Sequence, residues 1–147
     1  MLKKLINKLK TKKFNVCVIG LGYVGLPLVS SFIEAGIEVL GIDIDKKKIN
    51  LLKNGKSYLQ STNKKTREYF FKNKKNLSTN FSIIERCDVI IVCLPTPLKN
   101  NTKEPDMSYI FGCAKSLKKY IKKNQIIILE STVYPGATRE FTKKLIN

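Results

Sequence analysis

The sequence of 147 residues contains no histidine and no tryptophan, and it has only four cysteines. No two of these cysteines form a C-x-x-C pair, so the chain lacks the usual ligand spacing of a zinc site. A cysteine nucleophile would also have no histidine to activate it. We therefore expect no metal site, and we expect Cys17, Cys87, Cys93 and Cys113 to be reduced residues of the core.

Long hydrophobic runs are also missing. No stretch approaches the roughly 18 consecutive apolar residues that cross a bilayer. The first residues lack the uninterrupted apolar segment and the small-residue cleavage site of a signal peptide. These features predict a cytoplasmic protein without a membrane span. With 43% hydrophobic residues, the chain can bury the core of a single domain.

Acidic residues are scarce. The chain has 11 of them against 28 lysines and arginines, which gives a net charge of +17. Clustered basic residues can bind nucleic acid by releasing counterions from its phosphate backbone. Here almost all of the positive charge is lysine, spread over the predicted helices and loops. We interpret it as a solvated surface with no specific nucleic-acid partner, and we expect non-specific binding to polyanions at low salt.

The first 13 residues differ in pattern from the rest of the chain. Leu2, Leu5, Ile6 and Leu9 recur at helical spacing with lysines between them, which predicts an amphipathic helix over residues 1–13. Such a helix could attach to a membrane surface or pack against protein. Its apolar stripe is short and has no aromatic anchor, so we favour packing. The sequence leaves open whether the helix packs on its own domain or on a partner subunit.

Strand-like and helix-like stretches alternate through residues 14–147. This alternation predicts right-handed crossovers and a doubly wound parallel sheet of the α/β class, a Rossmann-type fold with ligands at the carboxyl ends of its strands. The last helix is expected to begin at Pro135, since a missing N–H costs nothing at the first helical position. The predicted strands are 15–19, 38–42, 77–81, 88–94 and 125–129, and the other predicted helices are 24–35, 46–53, 66–72 and 107–122.

A glycine-rich turn separates the first predicted strand from the next helix. Gly20, Gly22 and Gly25 have the spacing G-x-G-x-x-G. Such a turn lets the backbone contact a pyrophosphate, because glycine has no Cβ to hold the phosphates away. The start of the helix, with Tyr23 and Val24, adds free N–H groups and a partial positive charge. The turn therefore predicts a dinucleotide site.

Asp43 follows the second predicted strand, at close to the spacing of about 20 residues expected for the acid that binds the adenosine ribose. Its carboxylate can accept both ribose hydroxyls and would repel a 2′-phosphate, which predicts NAD rather than NADP as the cofactor. An aspartate here could instead cap the next helix, a role that suits Asp45 better. Lys48 could lie over the adenine or belong to a solvated lysine run, and the sequence leaves both interpretations open.

Five motifs then occur in a characteristic order. They are Gly-Leu-Gly-Tyr-Val-Gly-Leu-Pro at 20–27, Gly-Ile-Asp-Ile-Asp at 41–45, Pro-Thr-Pro at 95–97, Pro-Asp-Met-Ser-Tyr at 105–109 and Glu-Ser-Thr-Val-Tyr-Pro-Gly at 130–136. In these motifs the chain resembles the UDP-glucose/GDP-mannose dehydrogenase family over nearly its whole length after Thr11. It is most similar to the branch that oxidises UDP-N-acetylhexosamines, such as UDP-N-acetylglucosamine, at C6.

The resemblance implies a cytoplasmic oxidoreductase of polysaccharide biosynthesis. Its four-electron oxidation uses two NAD molecules and takes the C6 alcohol of the sugar to a carboxylate through a cysteine-bound thioester. The three glycines would hold the pyrophosphate and Asp43 the ribose. Thr132 would stand near the nicotinamide as an accessory catalytic residue that orients a water or hydroxyl; without the resemblance, such a threonine would be assigned as a helix cap. The predicted cofactor-binding residues are Gly20, Gly22, Tyr23, Val24, Gly25, Asp43, Lys48, Pro95, Thr96, Ser131 and Thr132.

The chain also departs from the family pattern. Family members continue through a sixth strand, a catalytic lysine and asparagine, a linking helix and a nucleophilic cysteine in a glycine-rich segment, and Cys113 does not match that context. We therefore expect an incomplete Rossmann domain that is a fragment, a truncated reading frame or half of a split enzyme. Binding of a UDP-sugar substrate would then require the missing C-terminal region, which a separate C-terminal half could supply. The chain could also form a homo-oligomer. The alternatives are a stand-alone NAD-binding module and a basic nucleic-acid protein without catalytic activity.

Overall fold

The computed structural model describes residues 2–99 and 103–146, and over these residues five strands alternate with six α-helices. The predicted ranges 1–13 and 14–147 include residues 1, 100–102 and 147, which lie outside the described part. The strands are β1 (Asn15–Ile19), β2 (Glu38–Ile42), β3 (Leu77–Ser78), β4 (Val89–Val92) and β5 (Ile126–Leu129). The helices are α1 (Leu2–Lys10), α2 (Gly25–Glu34), α3 (Lys46–Lys53), α4 (Lys64–Lys72), α5 (Ser108–Leu117) and α6 (Ala137–Ile146).

The five strands form one parallel sheet in the order β3-β2-β1-β4-β5, which confirms the predicted α/β fold. The strand order reverses between β1 and β4, and doubly wound sheets bind ligands at such a switch point. The strands also end level with one another, because Ile19 pairs with Ile42 and Val92, and Val92 pairs with Leu129. The glycine turn, Asp43 and the loops after β4 and β5 therefore meet at one edge.

The inner strands β2, β1 and β4 are buried on both faces of the sheet. In β1, Val16 and Val18 belong to one apolar cluster, which includes Val29 of α2. Cys17 of the same strand belongs to the opposite cluster, which includes Ile110 of α5. A central strand covered on both faces has no solvent-facing side chains to alternate with apolar ones, which explains the continuous apolar runs in the sequence.

The last helix begins later than predicted. Pro135 lies in a turn rather than at the first helical position, and α6 begins at Ala137. Gly136 has a φ of +96°, in the left-handed region that a right-handed helix cannot include. The turn is closed by the Ala137 N–H, which donates to the carbonyl of Tyr134 at 3.1 Å.

The third strand is shorter than the predicted range 77–81. Only Leu77 and Ser78 pair with β2, and a 3₁₀ helix over Phe81–Arg86 follows. The Asn80 side chain accepts a hydrogen bond from the Ser82 N–H at 2.8 Å and so caps this helix. A local side-chain contact thus ends the strand, which lies at the sheet edge.

Helix α1 packs on its own domain. Leu5 is buried, and Leu9 packs against the cluster that contains Val16 and Val18. The Lys8 ammonium lies 2.6 Å from a carboxylate oxygen of Asp88, just before β4. The sequence left open whether this helix packs on its own domain or on a partner subunit. The structure shows it packed on its own domain. Within the described ranges, no helix is long and apolar enough to cross a membrane.

This packing predicts unequal effects for two neighbouring substitutions in α1. Leu5→Ala should lower the free energy of unfolding by about 2 kcal/mol, because it removes buried methyl groups. Ile6→Ala should lower it by no more than about 0.5 kcal/mol, because the Ile6 side chain is 41% exposed. Urea unfolding of both variants tests the prediction, and equal losses would show that α1 is not docked as described.

Candidate functional site

A cleft of about 800 Å³ opens at the carboxyl ends of β1, β2, β4 and β5. Every predicted cofactor-binding residue except Gly25 lines it, so the structure brings together residues from four separate segments. The lining residues are Ile19, Gly20, Gly22, Tyr23, Val24, Ile42, Asp43, Ile44, Asp45, Lys48, Phe81, Cys93, Leu94, Pro95, Thr96, Ser108, Tyr109, Gly112, Cys113, Ser116, Glu130, Ser131 and Thr132.

The first and third glycines of the turn are required by the protein itself. Gly20 has a φ of +88°, and a Cβ built on it would lie 2.5 Å from the carbonyl oxygen of Cys93. A Cβ on Gly25 would lie 1.8 Å from the carbonyl oxygen of Gly20. Gly25 therefore serves the close approach of α2 to the turn, and its predicted role at the pyrophosphate stays a prediction.

Gly22 differs from these two glycines. Its φ is not positive, and a Cβ built on it would meet no atom within 4 Å. No contact within the described chain requires a glycine here, yet the residue lines the cleft. A bare backbone at this point leaves room for a group that must approach closely. Gly22 thus offers an unobstructed backbone to a ligand bound in the cleft.

Helix α2 gives this opening its electrostatic character. The helix begins at Gly25, and the Leu26 N–H donates to the carbonyl of Gly22 at 3.1 Å. The first N–H groups of an α-helix have no partner inside the helix, and they carry the positive end of its dipole. An anionic group in front of Gly22 would therefore meet N–H donors, which is the arrangement that binds a pyrophosphate.

Asp43 lies at the end of β2 with only 7% of its surface exposed. One carboxylate oxygen accepts from the Leu21 N–H at 3.0 Å, and the other accepts from the Asp45 N–H at 2.9 Å. The oxygen that accepts from Leu21 also lies 3.5 Å from the Lys48 ammonium, whereas the oxygen that accepts from Asp45 keeps a second lone pair for a ligand in the cleft. The alternative role of helix cap falls to Asp45, whose side chain accepts from the Lys47 N–H at 2.8 Å.

Lys48 belongs to the wall of the cleft rather than to a solvated lysine run. Its ammonium lies 3.5 Å from a carboxylate oxygen of Asp43. The same ammonium lies 5.5 Å from the centre of the Tyr58 ring, within the range of a cation–π contact. Lys48 thus offsets part of the negative charge of Asp43.

Two hydroxyl groups join the loops after β4 and β5. The Ser131 hydroxyl accepts from the Leu94 N–H at 3.0 Å. The Thr96 hydroxyl donates to the carbonyl of Thr132 at 2.7 Å. The side chains of Ser131 and Thr96 therefore hold this wall of the cleft in place, next to the exposed residue Glu130.

All four cysteines are free and buried. Burial, reinforced by the charge of Glu130, raises the pKa of Cys93 to about 11. Burial raises the pKa of Cys113 to about 12 and the pKa of Cys17 well above its usual value. Cys93 and Cys113 line the cleft, but at neutral pH both are protonated thiols rather than activated nucleophiles. The described residues contain no group of His, Cys, Asp and Glu that could hold a metal ion.

One wall of the cleft was missed in the sequence. Helix α5 presents Ser108, Gly112 and Ser116 to the cleft, together with Tyr109 and Cys113. Small residues at positions i, i+4 and i+8 share one helix face, and that spacing was the available signal. Ile44 was also missed. It follows Asp43 directly and lines the cleft with 76% of its surface exposed, so an exposed isoleucine beside the expected ribose acid was a further signal.

Comparison with known proteins agrees with this geometry. A sequence model described as the UDP-glucose/GDP-mannose dehydrogenase family, NAD binding domain, matches residues 14–147. UDP-N-acetyl-D-mannosamine dehydrogenase of Methanococcus maripaludis is 34% identical over 133 residues, which cover 88% of this chain and 31% of that protein. UDP-N-acetyl-D-glucosamine 6-dehydrogenase of Pseudomonas aeruginosa is 40% identical over 131 residues, which cover 88% of this chain and 30% of that protein.

Solved structures show the same similarity. The structure of the UDP-D-ManNAc dehydrogenase of Pyrococcus horikoshii superposes with a TM-score of 0.80 at 27% identity, covering 89% of this chain and 31% of the other. The UDP-N-acetyl-mannosamine dehydrogenase of Staphylococcus aureus superposes with a TM-score of 0.77 at 33% identity, covering 90% of this chain and 32% of the other. The chain thus spans about a third or less of the length of these relatives.

Proposed function

The chain belongs to the UDP-glucose/GDP-mannose dehydrogenase family and contains its NAD-binding domain, and from this premise we propose that it serves a 6-dehydrogenase acting on a UDP-N-acetylhexosamine. The substrate class is supported by the relatives named above, which act on UDP-N-acetyl-D-mannosamine and UDP-N-acetyl-D-glucosamine. We further propose a cytoplasmic role in polysaccharide biosynthesis, with residues 14–147 as the cofactor domain and residues 1–13 as a helix docked on it. A C-terminal segment or a separate C-terminal half would complete the substrate site, and the chain could also form a homo-oligomer.

The observation that carries the proposal is the open backbone at Gly22. Since no contact within the described chain requires a glycine there, the residue fits the close approach of the NAD pyrophosphate. Asp43 would bind the adenosine ribose on the β2 side of the turn. The other half of NAD would then extend toward the ends of β4 and β5, where Pro95, Thr96 and Ser131 line the cleft.

Bound in this way, NAD supplies the hydride acceptor for oxidation of the sugar alcohol. The residues of this chain bind and orient the cofactor. Thr132 is the accessory residue in this proposal, and its hydroxyl would orient a water or a substrate hydroxyl near the nicotinamide. Its carbonyl is already held by the Thr96 hydroxyl at 2.7 Å, which fixes its backbone.

Asp43 predicts a preference between the two nicotinamide dinucleotides. The chain should bind NAD about tenfold or more tightly than NADP, because the carboxylate lies where a 2′-phosphate would have to fit. Asp43→Asn should bring the ratio of the NAD affinity to the NADP affinity closer to one. Glu85→Gln removes a negative charge that is paired with Lys122, away from the cleft, and should leave the ratio unchanged. Titration calorimetry measures the six affinities, two ligands for each of the three proteins. Equal or tighter binding of NADP by the unmodified chain would mean that Lys46 to Lys48 dominate the pocket instead.

A further inference from the structure

We propose that Tyr58, which lies outside the cleft, is a positioning residue that sets the direction of the phosphate-binding N–H of Gly22. The inference rests on the proposed NAD site. Tyr58 belongs to the polar connection between α3 and α4, for which we predicted no function from the sequence. Its ring packs against the apolar cluster that contains Leu21, and its hydroxyl donates a hydrogen bond to the Leu21 carbonyl.

Leu21, the residue between the first two glycines of the turn, is held on both sides. Its side chain is completely buried. Its N–H donates to the Asp43 carboxylate at 3.0 Å, and its carbonyl accepts from Tyr58. Asp43 therefore fixes the peptide group before Leu21, and Tyr58 fixes the peptide group after it.

The peptide group after Leu21 contains the N–H of Gly22. The described chain has no cis peptide bonds, and in a trans peptide the carbonyl and the N–H point in opposite directions within one plane. A hydrogen bond that holds the Leu21 carbonyl therefore also orients the Gly22 N–H. A hydrogen bond weakens steeply as its donor–hydrogen–acceptor angle decreases. The direction of the Gly22 N–H therefore affects how well the turn binds an anion.

Burial and the nearby carboxylates keep the Tyr58 hydroxyl protonated, so it can donate a hydrogen bond. Burial, followed by the charges of Asp43 and Asp45, raises the pKa of Tyr58, so the group remains protonated through neutral and mildly alkaline pH. The Lys48 ammonium lies over the ring at 5.5 Å from its centre and also 3.5 Å from Asp43. Tyr58, Lys48 and Asp43 are thus linked beside the turn, and the hydrogen bond from Tyr58 holds the Leu21 carbonyl.

Tyr58→Phe removes the hydroxyl and keeps the ring. We expect the affinities for NAD and for ADP, which both carry a pyrophosphate, to fall about three- to tenfold, in line with the loss of one hydrogen bond. The affinity for adenosine, which has no phosphate, should not change. Titration calorimetry measures NAD and ADP, and ligand-observed NMR measures adenosine.

Tyr69→Phe is the matched control. The Tyr69 hydroxyl hydrogen-bonds to the backbone of Val39 in β2, with the Val39 N–H at 2.9 Å, and it does not line the cleft. This variant should lose stability without losing affinity for any of the three ligands. Unchanged NAD and ADP affinities in Tyr58→Phe would overturn the inference, and so would an equal loss for adenosine, which would mean general disruption. If the unmodified chain binds no NAD, the proposed function itself fails.

Discussion

Gly22→Val should weaken NAD binding by about a hundredfold or more while the domain stays folded. The added Cβ meets open space in the described protein, because no atom lies within 4 Å of it. It occupies the place where the pyrophosphate has to approach the backbone. Calorimetry gives the affinity, and thermal unfolding without ligand should give a melting temperature close to that of the unmodified chain.

Gly25→Ala is the contrasting variant of the same turn. Its Cβ would lie 1.8 Å from the carbonyl oxygen of Gly20, so α2 has to move away from the turn. We expect it to lose about 3 kcal/mol or more of stability before any ligand is added. If Gly22→Val unfolds in the same way, or binds NAD normally, then Gly22 does not have the ligand-facing role assigned to it.

The second prediction concerns catalysis by the chain alone. The purified 147-residue chain should produce no NADH from UDP-N-acetylglucosamine, UDP-N-acetylmannosamine or UDP-glucose, even with saturating NAD. Oxidation of an alcohol to a carboxylate requires a base for the hydroxyl and a nucleophile that traps the aldehyde. The two cysteines that line the cleft have pKa values raised to about 11 and about 12, so neither offers the thiolate that would trap the aldehyde.

The absorbance of NADH measures this outcome directly. The UDP-N-acetyl-D-glucosamine 6-dehydrogenase of Pseudomonas aeruginosa, assayed with UDP-N-acetylglucosamine in the same buffer, is the positive control. Steady turnover by the 147-residue chain would refute the proposal that it acts as a cofactor domain requiring further residues. Turnover that appears only when a separate polypeptide with the family's cysteine segment is added would support that proposal.

Two of the three inner strands could be predicted accurately from the sequence, whereas the third, β4, spans Val89–Val92 instead of the predicted 88–94. The observed bounds of β1 and β2 equal the predicted ones, because both strands are buried on two faces and end at a glycine turn or at Asp43. Prediction was poorer at the edge of the sheet, where β3 is only two residues long. There a local contact, the cap made by Asn80, ends the strand, and hydrophobic pattern carries no information about it.

Apart from Lys48, the site residues that were predicted lie in short motifs, whereas Ser108 and Tyr109 line the cleft and were not assigned to it although they belong to the motif at 105–109. The glycine turn, Asp43 and the residues at 95–97 and 130–132 belong to motifs with characteristic spacing. The wall formed by α5 was missed, since its apolar pattern also serves the core through Ile110 and Leu117. Tyr58 could not be found at all from the sequence. Its hydroxyl reaches Leu21 across 37 positions of the chain, and only the folded structure shows this contact.

The most direct test of the account is a map of where NAD binds on the isotopically labelled chain. Backbone amide resonances measured by NMR during an NAD titration should shift most at 20–25, 43–48, 94–96 and 130–132, with saturation at a single site. A chain with a net charge of +17 could also attract the dinucleotide as a simple polyanion. Shifts concentrated in the lysine-rich segments 3–13 and 118–123, abolished by moderate salt, would contradict a cofactor site in the cleft.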